Sequence, residues 1–129
     1  MTQEDKDLLL KDLCARLLYG VKVEEVFINP NTKEHKSCGI DVFNTTSLLM
    51  IIDGLGEFKP YLFPLSSMTE EQRKEFDQLI ELELKVISDE IDSTQVTAFE
   101  TDFYNKHHLD WRGLIEKGLA LDATNLNIY

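Results

Sequence analysis

The residues with the widest chemical range in this chain are His107, His108 and Asp110, with His35 standing apart from them. Imidazoles and a carboxylate are the groups from which zinc sites and acid-base pairs are built. Spacing decides how far that goes. Neighbouring residues on a helix point about 100° apart, so His107 and His108 do not readily grip one ion, whereas residues three or four apart can. His107 and Asp110 have that spacing, but a second ligand pair and an HExxH pattern are missing. A small metal-dependent hydrolase using His107, His108 and Asp110 is therefore an alternative. It stands behind a reading in which His107 ends an aromatic helix face and His108 is solvated.

Nucleophilic and nucleotide chemistry find less support. Ser66, Ser67, Ser88 and Ser93 lie at helix starts or on a helix without a GxSxG elbow. Cys14 and Cys38 form no CxxC pair and read as reduced, partly buried thiols. Gly54-Leu55-Gly56 lacks the third glycine of a dinucleotide turn, and Asp53-Gly54 reads as a tight turn instead. No cofactor and no resident metal are expected. Tyr61, Phe63, Trp111 and Arg112 are of the types that anchor protein interfaces, and they are the expected partner-binding positions. Packing offers other roles: Tyr61 and Trp111 over a sheet edge, which is the favoured role for Trp111, and Arg112 against a helix-terminal carbonyl or an acid such as Glu116 four residues on.

These residues need a scaffold, and the hydrophobic periods supply one. Thr2 with Asp5 reads as a helix cap, Leu9, Leu10, Leu13, Cys14, Leu17 and Leu18 form a stripe, and Gly20 stops it, which predicts a helix over 3–19. Runs of β-favouring residues follow at Val21–Ile28, Ser37–Phe43, Leu48–Ile52 and Glu57–Phe63, separated by turn residues. They predict an antiparallel meander with the apolar Leu48–Ile52 run at its centre. Pro60 and Pro64 are expected to keep a regular central strand out of 60–64, because proline donates no ladder bond. Thr69 and Gln72 form a capping box for a helix that continues to about residue 90, with a short strand at 83–88 as the alternative. Caps at Asp92-Ser93-Thr94 start a helix over 94–108, whose face carries Val96, Phe99, Phe103, Tyr104 and His107. Asp110 and Gly118 bracket a short helix, and 122–129 reads as a loosely held tail.

The chain has 129 residues, 43% of them hydrophobic, and a net charge of -11. That composition fits one globular domain, which the elements above make α+β, an antiparallel sheet of about four strands packed by helices from both ends of the chain, and it excludes disordered, collagen-like and disulfide-scaffold classes. The longest apolar run, Leu48–Ile52, is far too short to span a bilayer, and the acidic start has no signal-peptide pattern, so a cytoplasmic protein without membrane contact is expected. Residues 66–102 hold eleven acids against three bases. Direct nucleic-acid binding is disfavoured by that balance; the acids read first as a solvated helical face, with docking of a basic protein surface as the alternative.

Two stretches, residues 58–69 (FKPYLFPLSSMT) and 107–121 (HHLDWRGLIEKGLAL), resemble the signature blocks of an uncharacterised family of short acidic bacterial proteins associated with prophages and mobile elements. In that family an Arg usually stands at the place of Phe63, and Tyr is commoner than Trp111. The resemblance implies a small accessory protein that acts by contact with another protein, and it implies no catalytic residue. The expectation is thus a non-catalytic protein-binding module, with a self-assembling protein, a homodimer, as a further alternative.

Overall fold

The computed structural model describes residues 2–87 and 93–129. Helix α1 (Gln3–Arg16) starts at the expected box: the Thr2 hydroxyl accepts from the Asp5 N–H while the Asp5 carboxylate accepts from the Thr2 N–H. A single tighter turn, Leu17–Tyr19, follows and ends at Gly20, whose φ of 68° lies in the left-handed region that glycine enters without strain. Strands β1 (Lys22–Ile28) and β2 (His35–Val42) then form an antiparallel hairpin with a bulge near Gly39.

Helix α2 (Thr45–Ile52) corrects the expected central strand. The run Leu48–Ile52 is helical because Asn44 caps it: its side chain accepts from the Ser47 N–H, and the Ser47 hydroxyl accepts from the Asn44 N–H. Leu48, Met50 and Ile51 pack on the core, while Leu49 and Ile52 stay exposed.

Strand β3 (Gly56–Pro64) is a second correction, since the central strand runs straight through Pro60. Phe43 N–H donates to the Val21 carbonyl, and that alternation turns the Val23 groups toward β2. Pro60, opposite Val23, therefore sits at a pair that exchanges no ladder bonds with β1, and the parallel partners on its other side begin only at Tyr61. The donor that proline lacks is not required there.

The sheet is mixed rather than an antiparallel meander. Its order is β2-β1-β3-β4, where β4 (Leu109–Asp110) pairs parallel with Phe63–Pro64, and β5 (Leu121–Asp122) pairs parallel with Tyr61–Leu62. Helix α3 (Glu70–Ile87) carries the expected Thr69–Gln72 box and is helical through 83–87, which removes the strand alternative there; its expected extension toward residue 90 lies outside the described residues. Helix α4 (Ser93–Lys106) packs on it through Phe76 against Phe103 and Tyr104. Asp92 as a cap, and the side chains of Val96 and Phe99, also lie outside what is described. The short helix expected from Asp110 to Gly118 is replaced by successive turns. The fold is α+β. No helix among the described residues is long and apolar enough to cross a membrane.

The core draws on α1, β1, β3 and the C-terminal segment, with Leu9, Leu13, Val21, Phe58, Leu62 and Leu114 at its centre. Cys14 and Cys38 are free and exposed, so neither is the partly buried thiol expected. The Val42 end of the outer margin of β2 is closed by side chains. The Val42 N–H donates to the Asp41 carboxylate at 2.7 Å, and the Val42 carbonyl accepts from the Asn44 side-chain amide at 3.3 Å.

Candidate functional site

The parallel pairing of Phe63–Pro64 with Leu109–Asp110 brings the 58–69 and 107–121 segments side by side. Phe63 N–H donates to the His108 carbonyl at 2.8 Å, and His108 takes a φ of 58° to make the turn out of α4. Asp110 then acts as a turn cap: its two carboxylate oxygens accept from the Leu114 and Ile115 N–H groups at 2.8 and 3.0 Å. A buried carboxylate that is already matched to two donors has little freedom to bind a metal.

The three residues of the hydrolase alternative have separate partners. His107 faces α3, with Nε2 3.2 Å from Glu75 Oε2, Nδ1 3.5 Å from Gln72 Nε2, and its ring 4.7 Å from that of Phe103. His107 does end the aromatic face. His108 is not solvated: its ring stacks on Tyr129 at 3.9 Å and 15°, and burial, followed by the charge of Arg16, pushes its pKa down to about 4. His35 is exposed on β2. Among the described residues, no three His, Cys, Asp or Glu side chains are placed to hold a metal ion.

Tyr129 also overturns the expected loose tail. Its hydroxyl accepts from the Lys22 N–H at 2.8 Å and donates to the Tyr61 carbonyl at 2.7 Å, bridging the rung beyond the last paired residues of β1 and β3. Lys22 Nζ donates to the Ile128 carbonyl, and Ala123 N–H donates to Leu62. Burial of the Tyr129 phenol pushes its pKa up to about 12.

Beneath this surface lies an ion network that the sequence reading missed. Asp12 and Arg16, both fully buried, pair at 2.9 Å, and Arg112 Nε donates to the second Asp12 oxygen at 3.1 Å. Arg16 Nη2 donates to the Leu109 carbonyl at 2.7 Å. Arg112 thus pairs with Asp12 of α1 rather than with Glu116, and its guanidinium lies 3.9 Å over the Trp111 ring. The i, i+4 spacing of Asp12 and Arg16 within a leucine-rich helix was the available signal.

Of the four expected anchors, Tyr61 is buried and Phe63 is half-buried against Tyr129 at 5.7 Å. Trp111 and Arg112 reach the surface together. Trp111 is half-buried and held on several sides: Nε1–H donates to Asn105 Oδ1 at 3.0 Å, Tyr104 lies near-parallel at 6.3 Å, and Arg112 covers a ring face. Its remaining edge lines an open groove of about 490 Å³. Pro64, Leu65 and Ser66 form one wall, and Trp111, Ile115 and Glu116 the other. Leu65 is 40% exposed, Glu116 is exposed, and Glu70, Glu71, Asp77 and Glu81 stand exposed on α3. A cleft with a positioned indole, aliphatic walls and the exposed Glu116 at its margin suits a short segment bearing apolar and basic side chains.

Comparison with protein-family models, curated proteins and solved structures finds no match to this chain.

Proposed function

We propose that this protein is a non-catalytic binding module that engages a segment of another protein in the groove beside Trp111. One observation carries the reading: the 58–69 and 107–121 segments, which resemble the signature blocks of the acidic mobile-element family, are the two walls of one groove, with Trp111 locked at its side. Membership in that family, and action inside the cell, belong to the same proposal. Trp and Arg side chains that lose their water on binding are among the usual carriers of interface energy. A surface charge of this sign adds long-range attraction for a basic segment.

The test is selection of a displayed random-peptide library on the full chain and on Trp111→Ala. The expected result is a set of peptides enriched on the wild type alone, with an apolar residue flanked by Lys or Arg. Enrichment that is identical on both proteins, or absent from both, overturns the reading.

A further inference from the structure

The groove beside Trp111 carries a charge that the fold leaves unanswered. Glu116 stands four residues after Arg112, the spacing at which the two would pair on a helix. Turns replace the helix here, and Arg112 reaches instead to the buried Asp12 carboxylate at 3.1 Å. Glu116 is left exposed and forms no ion pair among the described residues. Asp110, the other acid lining the groove, has both oxygens engaged by the Leu114 and Ile115 N–H groups. Among the described residues, no Lys or Arg lines the groove.

Shape and surroundings decide which cation answers Glu116. The groove measures about 490 Å³. That volume falls in the range of about 300–1,000 Å³ that small-ligand sites occupy, and it has room for about two neighbouring side chains of a peptide. A Cβ on Gly113 would meet nothing within 4 Å, so the groove is open there to a visiting main chain. Beside Glu116 the lining is apolar, with half-buried Ile115 and the free edge of Trp111. An ammonium is compact and strongly hydrated and gains little from such a surface. A guanidinium is flat and weakly hydrated, so it lies against apolar and aromatic groups while two of its N–H groups bond one carboxylate. Arg112 already combines these contacts nearby, bonding Asp12 while its guanidinium lies 3.9 Å over the Trp111 ring.

We propose that Glu116 is the specificity-determining residue of this groove and that it selects an arginine, next to an apolar residue, in the bound segment. The inference rests on the binding-module reading above and narrows its partner from basic segments to arginine-bearing ones. The apolar neighbour packs on Leu65 and Ile115 and holds its share of the affinity without any charge.

The experiment selects one displayed random-peptide library in parallel on the full chain, Glu116→Gln, Glu116→Lys and Glu81→Gln. Glu81 is exposed on α3 and does not line the groove, so its change alters the net charge equally and nothing else at the site. On the wild type, arginine is expected at one position in about fivefold preference to lysine. Glu116→Gln is expected to lower the arginine enrichment about fivefold and to keep the apolar preference. Glu116→Lys is expected to replace arginine by Asp or Glu, and Glu81→Gln to leave the wild-type pattern unchanged. Arginine enrichment that survives Glu116→Gln, or that lysine matches on the wild type, overturns the proposal and leaves the binding-module reading standing. An equal loss on Glu81→Gln assigns the preference to net charge and overturns the proposal as well. Absence of any peptide that depends on Trp111 removes both readings together.

Discussion

Tyr129 lies flat against His108, with ring centroids 3.9 Å apart and planes 15° from parallel. The contact joins the last residue of the chain to the turn between α4 and β4, and the Tyr129 hydroxyl continues it into the sheet. Removal of that hydroxyl in Tyr129→Phe keeps the stack and deletes the bridge between Lys22 and Tyr61. A loss of about 1 kcal/mol is expected in urea unfolding, and about 2–3 kcal/mol for Tyr129→Ala, which also removes the ring.

The same contact makes stability depend on acid. His108 has its pKa lowered from 6.5 to about 4 by burial and by the nearby charge of Arg16. Below pH about 6.5 the unfolded chain takes up a proton that the fold refuses, so stability falls as the pH drops toward 4 and is complete above 6.5. Allowing for the partial exposure of the ring, the loss amounts to about 2 kcal/mol across that window. Asparagine tolerates the positive φ at this position, so His108→Asn is expected to fold with a flatter stability profile between pH 6.5 and 5. Equal slopes for the two proteins in urea titrations would remove His108 as the cause.

The Asp12 carboxylate serves Arg16 and Arg112 at once. Asp12→Asn leaves a buried guanidinium without its counter-charge, and a cost of about 3–5 kcal/mol is expected. Arg112→Ala, at a partly exposed position, is expected to cost less. The paired change Asp12→Leu with Arg16→Met is expected to recover most of the loss, because it removes both buried charges together. Thermal unfolding of the four proteins checks the order.

Trp111 is the single tryptophan, which makes its surroundings directly readable. Asn105→Ala deletes the acceptor of its indole N–H. A red-shifted emission maximum and a stability loss of about 1–2 kcal/mol are expected, together with loss of the peptides selected on the wild-type groove. Unchanged emission would mean that Asn105 does not set the indole.

Gly56→Ala is expected to lower stability by about 1–3 kcal/mol, since the new methyl meets the Phe58 ring at 2.9 Å and the Met50 terminal carbon at 3.4 Å. Differential scanning calorimetry reads the change.

The parts of this fold that local rules decide were legible in the sequence. The Thr2–Asp5 and Thr69–Gln72 boxes and the stop at Gly20 stand where the residue types place them. The segment Leu48–Ile52 misled because a five-residue apolar run has no period of its own, and its capping partners, Asn44 and Ser47, also suit a turn. Pro60 misled because only the pairing of both neighbouring strands reveals which side of β3 needs a donor. Around the groove, the contacts that fix Trp111 and Arg112, from Asn105 and Asp12, were not legible. The bond from Arg112 to Asp12 spans one hundred positions of sequence, beyond the reach of any local pattern. His108 and Tyr129 were missed for the same reason, and the polar composition of the last residues concealed an anchored end.

The Val42 end of β2 bears on strand addition. With the Val42 amide and carbonyl engaged by Asp41 and Asn44, a strand laid along that border finds no main-chain partner there, and the bulge near Gly39 breaks the ladder it would have to follow. Contact along this border would then rest on the exposed Ile40 and Val42 side chains more than on main-chain bonds.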